Sequence, residues 1–318
     1  MTFLRASHTI NKMEYDNICR YDFCFAWNWE YDADFTMLLA AAAEQNGISL
    51  LQVTPGNLAT MVHALISGDL FFRSFFDRAS DNDTGFMPLV EWAQSHNIPC
   101  VNCFQARQAI NKASCHLDFI TAGLHTPQTI ILPAFKENPE ISTPDLTPLG
   151  PLFAIKPSHG GGGEGVIVEA NAWEQVLTAR QQYPDDHYLL QSHVTPALLD
   201  GREAWFRVIG CVGQIYPCWW DTRTHVYTPL SSEDETRLGL QPLHEIPEKI
   251  SQLYGLELFS TEIAYTTEGT FVVVDYINDP IDLRVQSKAA DGIPDPIVGE
   301  IANKLVVFLK EKITTIPS

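Results

Sequence analysis

Residues 153–168 read Phe-Ala-Ile-Lys156-Pro-Ser-His-Gly160-Gly161-Gly162-Gly163-Glu-Gly165-Val-Ile-Val. A lysine sits near the end of an apolar run, five glycines fill six positions, and a second apolar run begins at Val166. Each glycine costs backbone entropy, so five exceed what a turn requires. A loop that lays its N–H groups against phosphate oxygens explains the excess, and Lys156 adds a point charge beside it. The chemistry indicated is nucleotide-phosphate binding. Residues 160–165 also match GxGxxG, but a dinucleotide fingerprint requires the glycines to open a helix. Residues 166–168 continue as a strand, so that reading fails. A P-loop needs Gly-Lys-Ser/Thr, which this loop lacks. A flexible hairpin turn without a ligand is the remaining alternative.

Two further groups could join this chemistry. Lys112 lies near the start of a helical segment; by itself it is an ordinary exposed lysine, but helix N-termini attract anions, which makes it a candidate phosphate contact. The second group is the pair of segments containing Glu262 and Asp275, joined through Thr267-Glu268-Gly269. With Glu268-Gly269 as a two-residue loop, Thr267 pairs with Thr270 and Glu262 falls opposite Asp275. Facing carboxylates repel, and in an apolar sheet they call for a cation between them. Hard oxygen ligands of this kind suit Mg²⁺. Asn278 or Asp279 would complete the set. In a different register one carboxylate faces solvent instead.

The elements that must position these groups come from hydrophobic periodicity. Strands are expected over 21–29, 48–53 and 98–103, an apolar aromatic run over 70–76, and helices over 34–46 and 88–96. This alternation implies a small parallel α/β sheet. A helix over 109–122 stopped by Gly123, a strand over 128–132 and a proline-rich surface loop over 136–151 follow. Asn171 is expected to cap a helix reaching about residue 182. From residue 188 the pattern becomes antiparallel: a strand over 189–194, a hairpin of 204–212 with 214–220 around Gly213, a helix over 248–254, a hairpin of 256–265 with 270–277, and a closing helix over 297–312.

Bulk composition narrows the classes. The chain has 318 residues, 45% hydrophobic, enough for two or three domains with buried cores. Its net charge of −19 argues against nucleic acid or an anionic membrane as the main partner. The opening Met1–His8 lacks the apolar region of a signal peptide, and no apolar run is long enough to span a bilayer, so a cytoplasmic protein is expected. Seven cysteines show no disulfide-framework spacing; Cys100-Val-Asn-Cys103 fits a buried strand end better than a zinc or redox site.

In this order the features resemble the ATP-grasp superfamily, which includes D-alanine–D-alanine ligase, glutathione synthetase and the ribosomal-protein glutamate ligases. The resemblance covers most of the chain. Asn111-Lys112 through Leu124-His-Thr-Pro127 looks like the family's entry motif, whose lysine contacts ATP phosphate. Ile155-Lys156-Pro157 and the glycines, with Gly161, Gly162 and Gly163 at the centre, look like the second lysine and the mobile phosphate lid. Gln191, Ser192, His193 and Val194 stand where the family's hinge binds adenine through backbone groups. Arg207 resembles the arginine directed at the transferring phosphate. Glu262, Asp275 and Asn278 fall near the metal-ligand positions, although the family's Glu-x-Asn is here Asp275-Tyr-Ile-Asn278-Asp279, which leaves Asn278 and Asp279 both open. The hinge glutamate is replaced, leaving Asp200 and Glu203 as weak candidates for a ribose-binding acid.

The resemblance implies an α/β (α+β) fold: two α+β subdomains, 108–190 and 191–318, clasping ATP, preceded by a small Rossmann-like parallel domain over 1–107. It implies ATP with Mg²⁺ (or Mn²⁺), a carboxylate substrate and an amine acceptor, with amide formation through an acyl-phosphate. Arg284 is expected to hold the acyl-phosphate or a substrate carboxylate, or else to pair with Asp282 or Asp279. Arg223, after Trp219 and Trp220, is a further candidate for an anion, with the tryptophans more readily read as core. A homodimer is compatible with this picture. The alternatives are an ATP-grasp kinase acting on a small hydroxyl substrate and a nucleotide-binding protein without turnover.

Overall fold

A computed structural model of the protein describes residues 18–315, so the opening Met1–His8 lies outside the described residues. The chain forms two compact units. The first gathers the residues up to Glu30, Ala40–Cys100 and the chain from Val306; the second gathers Tyr31–Leu39 and Val101–Leu305.

The first unit is a parallel α/β layer. Its strands are β1 (Cys19–Tyr21), β2 (Phe23–Trp27), β3 (Leu50–Val53), β4 (Leu70–Phe72), β5 (Phe75–Arg78) and β6 (Cys100–Val101, of which Cys100 falls in this unit), with helices α1 (Ala33–Gln45, in this unit from Ala40), α2 (Leu58–Ser67) and α3 (Met87–Ser95). The main sheet runs β3-β2-β5-β6, with β2 parallel to both β3 and β5, while β1 and β4 pair separately. β2 is buried at four of five positions, as a strand covered on both faces must be. The apolar run expected over 70–76 is divided between β4, which pairs with β1, and β5, which pairs with β2; Ser74 between them donates its Oγ to Asp22 O (2.8 Å).

The strand expected over 98–103 shortens to β6. Asn102 takes a left-handed backbone, φ +50°, and its Oδ1 accepts the N–H groups of Glu257 (2.8 Å) and Leu258 (2.9 Å). Cys103 is exposed rather than part of a buried strand end.

The second unit holds two antiparallel sheets. One has the order β7-β10-β8-β9, from β7 (Thr129–Leu132), β8 (Phe153–Pro157), β9 (Ile167–Ala170) and β10 (Tyr188–Ser192). A two-stranded ribbon pairs β11 (Leu198–Leu199) with β12 (Arg202–Glu203). The larger sheet has the order β15-β14-β13-β16-β17, from β13 (Trp205–Cys211), β14 (Gln214–Trp220), β15 (Tyr227–Pro229), β16 (Leu258–Tyr265) and β17 (Phe271–Asn278). The helices are α4 (Phe104–Ala109), α5 (Lys112–Thr121), α6 (Trp173–Gln182), α7 (Ser232–Leu238), α8 (Pro242–Tyr254) and α9 (Asp295–Thr315), the last belonging to this unit as far as Leu305. Phe119, Leu189, Phe206, Phe259 and Tyr276 belong to one buried cluster against which α5, α8 and the larger sheet pack.

Three helix limits differ from expectation, each for a local reason. The helix expected over 109–122 is two helices. Asn111 is extended and its side chain accepts the N–H of Ser114 (2.9 Å), so it caps α5 instead of continuing α4. At α6 the N-cap is Ala172, not Asn171; Gln175 Oε1 accepts the N–H groups of both residues (2.9 and 3.1 Å). α8 begins at Pro242 and continues through the buried Pro247, where the sequence suggested a start at 248. Among the described residues no helix is long and apolar enough to cross a membrane.

Candidate active site

The cap at Asn111 makes Lys112 the first residue of α5. That turn is tied to the end of β8. The Lys112 N–H donates to Ser158 O (2.8 Å), the Ala113 N–H to Ser158 Oγ (3.0 Å), and Ser158 Oγ to Asn111 Oδ1 (2.9 Å). Lys112 Nζ donates to Gly160 O at 2.6 Å, so the lysine touches the first residue of the glycine loop. Asp186 anchors the same stretch, accepting the His159 N–H (2.8 Å) and meeting His159 Nδ1 (2.7 Å).

The glycine loop joins the antiparallel strands β8 and β9, which removes the helix-opening dinucleotide reading. Gly160, Gly162, Gly163 and Gly165 all have φ between +62° and +88°. Gly165 has a second constraint, since an added Cβ would lie 2.6 Å from the Tyr183 ring. Gly161, Gly162 and Gly163 are exposed, and none of their N–H groups donates a hydrogen bond among the described residues.

Lys156 stands on β8 opposite Leu189 of β10, its Nζ 3.5 Å from Val274 O of β17. Burial depresses the pKa of Lys156, with Asp275 and Glu262 opposing that effect. Burial likewise lowers Lys112, opposed by Asp275 and Asp186. Both lysines therefore sense the same carboxylate on β17.

The carboxylate hairpin has the expected pairing, Glu262 with Asp275, but reaches it differently. Near the turn Tyr265 pairs with Phe271 and Thr266 N–H donates to Thr270 O, which leaves a three-residue loop. A shift between Glu262 and Ile263 then restores the register that sets the two acids opposite each other. Glu262 is not free: it is ion-paired with Arg207, its neighbour across β13 and β16. Their side chains are 19% and 14% exposed. Burial is the largest influence and disfavours the Arg207 charge, but Glu262, Tyr227 and Asp275 together leave the guanidinium pKa raised. Burial raises the pKa of Glu262 against the pull of Arg207. Arg207 Nε also donates to Ser260 Oγ (3.2 Å), and its guanidinium lies 5.4 Å from the Trp220 ring centre. Asn278 Nδ2 donates to Asp275 Oδ2 (2.9 Å). Asp279 pairs with Arg107 (3.1 Å).

The remaining candidates occupy mixed positions. Gln191 is buried, and its Nε2 donates to Tyr276 Oη (2.6 Å) and Thr129 Oγ1 (3.1 Å). The Ser192 N–H donates to Gln128 O (2.9 Å), whereas the backbone groups of His193 and Val194 form no hydrogen bond among the described residues. Arg284 is clamped by Asp282 (2.6 Å) and Asp291 (2.9 Å). Asp200 pairs with Arg237 (2.6 Å). Arg223 is exposed on a turn, while Trp219 and Trp220 are buried. Asn111, Ser158, Asp186, Ser260 and Tyr276 were not singled out by sequence reasoning. Only Asn111 carried a usable signal, an asparagine able to cap a helix, although the apolar period placed it inside one.

No protein-family model matches the chain, and no curated protein sequence matches it. Solved structures do. An ATP-grasp RimK domain protein from Sphaerobacter thermophilus is similar with a TM-score of 0.62 at 17% identity, covering 90% of this chain and 99% of that one. D-alanine–D-alanine ligase from Bacillus anthracis, complexed with ATP, is similar with a TM-score of 0.63 at 12% identity, covering 93% and 98%. The chain has the ATP-grasp fold. A macrocyclase from Microcystis aeruginosa bound with its precursor peptide shares the ATP-grasp fold, with a TM-score of 0.57 at 13% identity, covering 90% and 99%.

The side chains fit the ATP and Mg²⁺ that the ATP-grasp fold implies. Three cations cluster around a two-carboxylate hairpin in a chain of net charge −19. Among the described residues no three His, Cys, Asp or Glu side chains form a metal cluster, but Mg²⁺ retains waters and phosphate oxygens and needs few protein ligands. With Nδ2 of Asn278 engaged by Asp275, its amide oxygen is the end left for a cation.

Proposed function

We propose that this protein is an ATP- and Mg²⁺-dependent carboxylate–amine ligase acting through an acyl-phosphate. The observation that carries the reading is the Glu262–Asp275 hairpin, whose acids interact electrostatically with Lys156 and Arg207, and through Asp275 with Lys112.

Lys112, Lys156 and the N–H groups of Gly161, Gly162 and Gly163 hold the triphosphate, with the glycine loop as a lid. His193 and Val194, with Gln191 and Ser192 behind them, present the hinge backbone to adenine; the uncommitted backbone groups of His193 and Val194 support that role. Glu262, Asp275 and Asn278 hold Mg²⁺ (or Mn²⁺), and the Asn278–Asp275 bond favours Asn278 over the Arg107-paired Asp279. When bound, the metal would neutralise phosphate charge. Residues 108–190 and 191–318 are the two halves of this clasp.

In the reaction a carboxylate oxygen attacks the γ-phosphorus and ADP leaves. Arg207 and the two lysines stabilise the charge spread over the transferring group. The amine nitrogen then attacks the acyl carbon, loses a proton, and inorganic phosphate departs with one oxygen of the original acid. No protein nucleophile is required. Arg284 is assigned to the carboxylate substrate or acyl-phosphate, a role it performs by exchanging Asp282 or Asp291 for that anion.

The test is a screen of carboxylic acids and amines, singly and in pairs, for phosphate release from ATP. Release that needs both partners is expected. ADP production with phosphate retained on a hydroxyl substrate would identify a kinase and overturn the ligase reading.

A further inference from the structure

The Tyr276 hydroxyl is a junction of three elements. Gln191 Nε2 on β10 donates to it at 2.6 Å, and His116 Nδ1 on α5 meets it at 2.7 Å. Tyr276 is itself on β17. The three side chains are buried, at 3% exposure for Tyr276, 2% for Gln191 and 5% for His116. The Tyr276–His116 bond forms with a neutral imidazole in either sense, Nδ1 accepting the hydroxyl proton or an Nδ1–H donating to the hydroxyl oxygen. The Phe119 ring packs edge-on against Tyr276 at 5.3 Å.

Each element meeting there carries a group assigned above to ATP. His116 is one helical turn after Lys112 on α5, so the two residues share a face. Gln191 begins the hinge. Tyr276 follows Asp275 directly on β17. β7-β10-β8-β9 and the larger sheet are separate sheets, so no strand ladder sets β10 against β17. A buried hydrogen bond of good geometry can set that spacing, and buried polar groups are costly to leave unpaired.

We infer that Tyr276 is a positioning residue that fixes the spacing between the adenine hinge, Lys112 and Asp275, so that adenine and triphosphate are gripped together. This rests on the ATP reading above. It assigns Tyr276, Gln191 and His116 no contact with substrate.

The experiment is calorimetric titration of a non-hydrolysable ATP analogue with Mg²⁺, alongside thermal melting, for the unmodified protein, Tyr276→Phe, and the triple variant Tyr276→Phe/Gln191→Leu/His116→Phe. Tyr276→Phe is expected to bind about tenfold more weakly, the scale of lost outer-shell support. The triple variant removes the stranded polar groups along with the hydroxyl. It is expected to melt higher than Tyr276→Phe while remaining equally weak in binding. Unchanged affinity in Tyr276→Phe, or affinity recovering together with melting temperature in the triple variant, would overturn the positioning role. If the unmodified protein does not bind the analogue at all, the ATP reading fails first and takes this inference with it.

Discussion

Lys156 and Arg207 lie beside the same acids, yet removing them has structural consequences of different size. Burial holds Lys156 below its ordinary pKa despite Asp275 and Glu262, so its charge is maintained against a desolvation cost. Lys156→Ala is expected to abolish ATP turnover while lowering the melting temperature by no more than about 3 °C. Wild-type turnover in that variant would remove Lys156 from the site. Arg207 is the ion-pair partner of a buried carboxylate. Arg207→Met strands Glu262 and is expected to cost about 3 kcal/mol in denaturant unfolding, with Glu262→Gln restoring part of it. A loss no larger than that of Lys156→Ala would mean that the pair does not hold the hairpin. His116 adds a pH dependence. Burial keeps its pKa below 6.5, so as pH falls through that value the unfolded chain takes up the proton first and stability declines. His116→Asn is expected to flatten the fall in stability below about pH 6.5, measured by denaturant unfolding across pH; an unaltered slope would contradict the neutral, buried imidazole.

At the scale of elements, the carboxylate hairpin is the decisive unit. Its strands on either side of Gly269 were legible from alternation, and so was the pairing of Glu262 with Asp275. The loop length was not, because a three-residue turn followed by a register shift gives the same pairing as a two-residue turn with none. Asp275→Asn is expected to raise the Mg²⁺ concentration needed for half-maximal ATP turnover, and an unchanged Mg²⁺ titration would place the metal elsewhere. The β13–β14 hairpin was readable because Gly213 interrupts two apolar runs. The break between α4 and α5 was obscured, since Ile110 continues the apolar period across it while the cap at Asn111 acts through a single side-chain bond. α7 was missed because Ser231 caps a polar segment with no buried residues, where periodicity gives no signal. Pro247 disguised the first half of α8, since a proline is ordinarily read as a helix start or stop.

For the molecule as a whole, the order of the elements was the readable quantity, and the partners of most charged side chains were not. Lys112, Lys156, Arg207, Glu262 and Asp275 could be placed on a helix start and on strands by local pattern alone. Their mutual charges depend on contacts between residues distant in sequence, whereas Arg284 pairs with the nearby Asp282, one of the alternatives its sequence position offered, and with Asp291. A chain of net charge −19 repels polyanions at long range, so the proposed ATP binding would rest on that local cluster of cations and on a metal. The acyl-phosphate route makes one direct demand on the products. With the acid and amine pair that supports phosphate release, the acid is supplied with oxygen-18 in its carboxylate and the released phosphate is analysed by mass spectrometry. The account predicts one labelled oxygen transferred to each phosphate. Unlabelled phosphate, with the label retained in the acid or the amide, would contradict it.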